Sequence, residues 1–321
     1  MTLTDNMFSR NSASNTGFGG AVNTWAGATI DNCQFSRNSA KYGGAVSVLG
    51  NDQTAAITDS AFDRNSAGSY GGAVYASGTV TISDVIIKNN TATLGGGVMA
   101  ITSNISDDPL KPVMGRGKVI FTGTEPIIFE GNTATRTANG QSVGNDICAS
   151  SSNSAAGNGG VIEIQTLPQS FSGTGYDLAV DRSILVLGEG VTIPAEVNVY
   201  RSKEFTCGYT YDGNTLSFTS LSSGSGTNKW RIYWDGGASG DYTEYNGTGA
   251  LPSGTVDSGT TVMIRGYRGA NESLYYMIPT VSAAGAPQSL YDDALFDDAD
   301  MFDWLGHENS ALEEYCEECC R

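Results

Sequence analysis

The chain has 321 residues, of which 42 are Gly and 16% are charged, and it sets 17 Lys+Arg against 34 Asp+Glu for a formal net charge of −17. Its length allows one large domain or two, its abundance of Gly, Ser, Thr and Asn is that of a turn-rich all-β protein, and its negative field opposes non-specific binding to nucleic acid. No apolar run reaches the roughly 18 residues that a membrane-spanning helix needs, and Met1-Thr-Leu-Thr-Asp5 does not open a signal peptide.

The amino-terminal half is a repeat. Phe8-Ser-Arg10-Asn11-Ser-Ala13, Phe35-Ser-Arg37-Asn38-Ser-Ala40 and Phe62-Asp-Arg64-Asn65-Ser-Ala67 share one phrase, with looser copies in Ile87-Lys-Asn-Asn90-Thr-Ala92 and Phe129-Glu-Gly-Asn132-Thr-Ala134. The copies start 27, 27, 25 and 42 residues apart, so the last interval holds an insertion, placed in the polar stretch Ser103 to Lys118. Glycines follow the first four copies as Gly19-Gly20-Ala21, Gly43-Gly44-Ala45, Gly71-Gly72-Ala73 and Gly95-Gly96-Gly97. Between them lie Ala28-Thr-Ile30, Ala55-Ala-Ile57 and Thr79-Val80-Thr-Ile82-Ser83, whose alternation and β-branching mark half-buried strands. A unit of about 25 residues with three short strands and tight turns fits one coil of a right-handed single-stranded parallel β-helix, not a hairpin or a helical repeat.

Stacked at the ~4.8 Å spacing of neighbouring strands, the repeated residues acquire structural roles. Phe8, Phe35, Phe62 and Phe129 become an aromatic column inside the coil, and Asn11, Asn38, Asn65, Asn90 and Asn132 an amide ladder that satisfies turn backbone groups. The pairing of F-x-x-N-x-A with G-G-A resembles the repeat of the polymorphic outer membrane protein family, and Gly144-Asn145-Asp146-Ile147 resembles a variant seen in that family. The resemblance covers roughly residues 1 to 165. It implies a surface adhesin with a β-helical passenger region, and hence an extracellular or cell-surface location. The family's secretion signal and carboxy-terminal outer-membrane barrel are not expected in this chain.

Residues 166–205 keep strand-like runs, Ile184-Leu-Val-Leu187 and Val197-Asn-Val-Tyr200, and are expected to be closing coils of a β-helix spanning 1–205. Residues 206–281 turn rich in Tyr and Trp, with Trp230-Arg-Ile-Tyr-Trp234 and Thr261-Val-Met-Ile264 as alternating strands of a small β module. Residues 282–321 form an acidic amphipathic tail in which Tyr291, Leu295, Phe302 and Leu305 would share one side of a helix. Leu295, Phe296, Phe302, Trp304 and Leu305 are candidates for docking into a partner's groove, against the plainer reading of a solvated tail. Cys316-Glu-Glu-Cys319-Cys320 has half the spacing of a soft-metal site near the only histidine, His307, and no metal site is assigned; Cys33 is read as a buried free thiol.

A single histidine argues against Ser-His-Asp and Cys-His triads, and the absence of a G-x-x-x-x-G-K-S/T loop sets nucleotide chemistry aside. No cofactor is evident; calcium would suit lyase chemistry, but no motif supports it. Asp5, Asn32, Asp59 and Asp84 form a column whose regular recurrence fits turn capping better than the local carboxylate pair of a glycoside hydrolase. Arg10, Arg37 and Arg64 form a basic stripe, and Phe18, Tyr42, Tyr70 and Leu94 a second column before the glycines. Guanidinium groups and aromatic faces suit sugars or acidic glycans; the plainer alternative is a solvated arginine row over its own aromatic shelf. The residues favour a non-enzymatic surface-associated adhesin or structural β-helix that binds a glycan or surface protein through its lateral face. The rivals are a polysaccharide lyase or glycoside hydrolase, and an assembly subunit that self-associates through coil ends or the acidic tail.

Overall fold

The computed structural model describes residues 1–279 apart from 15–16, 51–52, 103–116, 152–158, 182, 203–204, 224–227, 236–238, 258–259 and 269–270. Residues 103–116 of the insertion expected at Ser103 to Lys118, and the acidic tail, with Leu295, Phe296, Phe302, Trp304, Leu305 and its cysteines, therefore lie outside the described residues, while Lys118 already opens the strand Lys118–Thr122. Met1–Ala284 is one compact unit.

The described chain is all-β, and its repeats stack as four parallel sheets in the manner of a parallel β-helix. Each full coil gives four strands, where three were expected. One coil runs Ala28–Asp31, Gln34–Ser36, Ser39–Tyr42 and Val46–Val48, and the next Thr54–Thr58, Ala61–Asp63, Ser66–Tyr70 and Val74–Ala76. In chain order these build an Ile face, a Phe face, a short Ser face and a Val face.

Register decides which side chains meet. Ile30, Ile57, Ile82, Phe121 and Ile164 stand in line on the Ile face, and Val22, Val46, Val74, Val98 and Ile147 on the Val face. All are buried in one continuous core, each stabilising the coil by about 1.5–3 kcal/mol. Phe8, Phe35 and Phe62 stack with ring centroids 4.9 and 4.8 Å apart and planes within 7°. Ile87 interrupts the column, and Phe129 resumes it against Phe171 at 6.1 Å.

The corners require special backbone. Asp5, Asn32, Asp59 and Asp84 turn the chain from the Ile to the Phe face with φ of 57°, 48°, 47° and 57°, a region that Asp and Asn visit more readily than most residues. Gly44 and Gly72 close the turn into the Val face, where a Cβ would lie 2.2 or 2.0 Å from the carbonyl oxygen of the next coil's glycine. Gly144-Asn145-Asp146 fills the place of Gly95-Gly96-Gly97 one coil later, as the pairing of Val98 with Ile147 fixes.

Val161–Ile164 and Ile184–Leu187 extend the Ile face; both are buried on their two sides, with Glu163 the one charged residue between them. Their outer side is covered: Val161, Ile184, Val186 and Cys207 pack against Leu216, Phe218, Trp230, Ile232, Val262 and Ile264 from the antiparallel strands that follow. Phe205–Tyr211 starts parallel to Ile184–Leu187 and then pairs antiparallel with Thr215–Ser223, so coil and module share a sheet. Under this cover Glu163 is fully buried, 2.6 Å from Lys118 Nζ, and accepts hydrogen bonds from Tyr209 Oη at 3.0 Å and Gln165 Nε2 at 2.7 Å.

Candidate binding surfaces of the coil

From Asn38 to Asn132 the Asn ladder is internal and hydrogen-bonded from rung to rung. Asn65 Oδ1 accepts from Asn38 N and Nδ2 at 2.9 and 3.0 Å, while Asn65 Nδ2 donates to Phe35 O at 2.9 Å and Asn90 Oδ1 at 3.0 Å. The ladder ends at Asp146, fully buried where earlier coils carry Ala or Gly, whose carboxylate accepts from Asn132 Nδ2, Ser172 N and Ser172 Oγ. Burial outweighs those hydrogen bonds and pushes the Asp146 carboxyl up to about 6. These side chains serve the scaffold and present nothing to a ligand.

Arg10, Arg37 and Arg64 occupy the corner between the Phe and Ser faces, exposed and in left-handed backbone with φ of 57°, 54° and 54°. The following coils place Asn89 and Gly131 at that corner, with φ of 56° and 61°. Arg64 Nη1 lies 3.1 Å from the buried carboxylate of Asp63, which also accepts from Asn89 Nδ2 at 2.9 Å. Beyond the corner the Ser face presents a hydroxyl ladder: Ser39 Oγ donates to Ser12 Oγ at 3.0 Å, and Thr91 Oγ1 to Ser66 Oγ at 3.1 Å.

Phe18, Tyr42, Tyr70 and Leu94 line up at the far corner of the Ser face. The Phe18 and Tyr42 rings are 4.8 Å apart, those of Tyr42 and Tyr70 5.6 Å, and Phe18 and Tyr42 also lean on Tyr75 of the Val face at 5.8 and 5.5 Å. With Leu49, Met99, Val143, Cys148 and Ala179 they form a second apolar layer outside the Val face. Arg37 and Tyr42 are five residues apart on extended chain, roughly 15 Å. The arginines and aromatics therefore flank the Ser face from two sides, and the cation over the Tyr42 ring is Lys41, at 5.1 Å.

A hairpin that the sequence reading missed extends this layer. Thr137–Ala138 pairs antiparallel with Gln141 and Ser142 around Asn139 and Gly140, whose φ values are 51° and 78°; the Asn-Gly dipeptide was its signal. Arg136, Ala138, Cys148, Asp181 and Tyr200 line a cleft of about 40 Å³ there. Cys148 is fully buried, and burial pushes its thiol up to about 12; Cys33 and Cys207 are likewise buried.

Residues 59–77 match the Chlamydia polymorphic membrane protein repeat. That stretch runs from the left-handed corner at Asp59 through Phe62, Arg64, Asn65 and Tyr70 to the Gly71-Gly72 pair and the Val-face strand Val74–Ala76. One polymorphic membrane protein repeat thus supplies the Phe, Ser and Val strands of a coil together with both flanks of the Ser face. No curated protein and no solved structure matches the chain. Among the described residues, no cluster of three or more His, Cys, Asp or Glu side chains is placed to hold a metal ion, and no helix is long and apolar enough to cross a membrane.

Proposed function

We propose that the chain is a non-enzymatic, surface-associated β-helix, coiled right-handed, that offers the Ser face and its two flanks to a glycan or a surface protein. The observation that carries this reading is the arginine corner. Left-handed backbone favours Asn and Gly, which Asn89 and Gly131 supply in later coils. Arg at three successive rungs meets no such backbone demand and places guanidinium groups at strand spacing beside an exposed hydroxyl ladder. Unusual backbone of this kind points from structure to function. The polymorphic membrane protein repeat supports a place at the outer membrane or cell surface, as expected of adhesin-like proteins.

The test is to incubate the full chain with pectin, alginate and related polymers, measuring both retention on the immobilised polymer and released products. Retention without new reducing ends or unsaturated products is expected. Consistent turnover of any of them would replace this reading with that of a carbohydrate-active enzyme.

A further inference from the structure

The polar cluster buried beneath the carboxy-terminal module shares no residue with the coil corners. Lys118 pairs with Val161 and Ile120 with Glu163, so Lys118 and Glu163 stand diagonally on neighbouring strands. Alternation turns both side chains to the outer side of the Ile face. In the same two columns the neighbouring coils carry Thr79, Val161 and Ile184 beside Lys118, and Thr81, Ile120 and Val186 beside Glu163. Val161, Ile184 and Val186 belong to the apolar cluster that the module covers.

Glu163 exposes none of its side chain and Lys118 only 12% of its own. Lys118 Nζ lies 2.6 Å from Glu163 Oε2, and that oxygen accepts no hydrogen bond, so the nitrogen meets the carboxyl group outside hydrogen-bonding angles. The other oxygen, Oε1, accepts two, from Tyr209 Oη at 3.0 Å and Gln165 Nε2 at 2.7 Å. The carboxyl group therefore has an amine against one oxygen and a pair of donors on the other. Burial, reinforced by the Glu163 carboxylate, holds the Tyr209 hydroxyl far above its ordinary value and keeps it a donor. As a plain ion pair the arrangement adds little stability, because the loss of hydration offsets the attraction.

We infer that Lys118 and Glu163 condense into an internal amide that ties the strand Lys118–Thr122 to Val161–Ile164 where the module covers them. Low polarity favours transfer of a proton from the ammonium to Oε2, which leaves a neutral amine beside a neutral acid. The nitrogen lone pair then attacks Glu163 Cδ, and the charge of the tetrahedral adduct falls on Oε1, where Tyr209 Oη–H and Gln165 Nε2–H stabilise it as an oxyanion hole does. The bond from Cδ to Oε2 breaks, and Oε2 leaves as water with two protons that began on Nζ. One proton stays on the amide nitrogen, and nothing is oxidised or reduced. The fold supplies the proximity that such a condensation lacks in water, and the apolar cover excludes the water that would reverse it.

The experiment is intact-mass spectrometry of the full chain, made by cell-free synthesis, sampled over time and analysed reduced and denatured, followed by peptide mapping. The unaltered chain should become lighter than its sequence by one water, and the map should show the Lys118 and Glu163 peptides joined. Lys118→Arg, which keeps the charge, should retain the full sequence mass. Tyr209→Phe, which keeps the ring, should slow the loss about a hundred-fold or more, as removal of one oxyanion donor does. The joined peptides of the unaltered chain decide the matter even if a variant does not fold. An unaltered chain that keeps its sequence mass would show an ion pair and no bond, and would overturn the inference. So would a water loss that persists in Lys118→Arg or maps elsewhere, for example to cyclisation at Asp212-Gly213.

Discussion

Replacing Asn65 with Ala tests the ladder where it is most enclosed. The side chain is fully buried and makes four hydrogen bonds, accepting from Asn38 N and Nδ2 and donating to Phe35 O and Asn90 Oδ1. Truncation withdraws the acceptor from the buried Asn38 N–H, which costs about 1–3 kcal/mol, and removes three further bonds at about 1 kcal/mol each, so the loss should be about 4–6 kcal/mol. At the open end of the ladder Asn11 is only partly buried, and its amide donates once, to Asn38 Oδ1 at 2.9 Å. Asn11→Ala should therefore cost about 1 kcal/mol. Urea unfolding of both variants, followed by far-ultraviolet circular dichroism, measures the difference. A loss at Asn65 no larger than that at Asn11 would refute the view that the buried amides tie the rungs together.

Gly72→Ala would put a Cβ 2.0 Å from Gly96 O and should destabilise the coil by at least the 1–3 kcal/mol or so of an overpacked core; an unchanged urea midpoint would show that the second glycine is not sterically required. Arg37→Asn keeps a residue suited to φ of 54° and should leave the urea midpoint unchanged or slightly raised, whereas a large loss would make the arginine a packing residue. Burial holds the carboxyls of Asp146 and Asp59 up to about 6, with Asp84, Asp31 and Glu125 adding repulsion at Asp59. A carboxyl raised in the folded state stabilises the fold fully below its unfolded value of about 3.9 and loses that contribution as pH rises through about 6. The urea midpoint should accordingly climb as pH is lowered from about 7 to about 5, and Asp146→Asn should flatten much of that slope; a slope unaltered by the substitution would contradict the assignment to Asp146.

The repeat was legible because its physical demands recur in every coil: an inward Phe, a buried Asn and a glycine pressed against the next rung. The fourth strand was missed because Val46–Val48 follows Gly43-Gly44-Ala45 directly and reads as part of its turn. Arg10, Arg37 and Arg64 were recognised as a column, but the backbone they occupy shows only when Asn89 and Gly131 are aligned with them. Gly144-Asn145-Asp146-Ile147 was legible as a variant of the family's repeat, but the way its Asp146 completes the ladder, from a place where a small residue is usual, shows only in the structure. Ile184-Leu-Val-Leu187 lacked alternation because the module buries its outer side as well. The contact of Lys118 with Glu163 stayed hidden for a simpler reason: the two meet only through pairing of strands that lie far apart in the sequence.

The central claim is that the repeated phrase is scaffold and the flanks of the Ser face make the contact. A glycan array probed with the full chain and with R10N/R37N/R64N, both confirmed to share one urea midpoint, tests it most directly. The account predicts that the coil variant loses glycans that the unaltered chain binds. A binding pattern identical to that of the unaltered chain would contradict it.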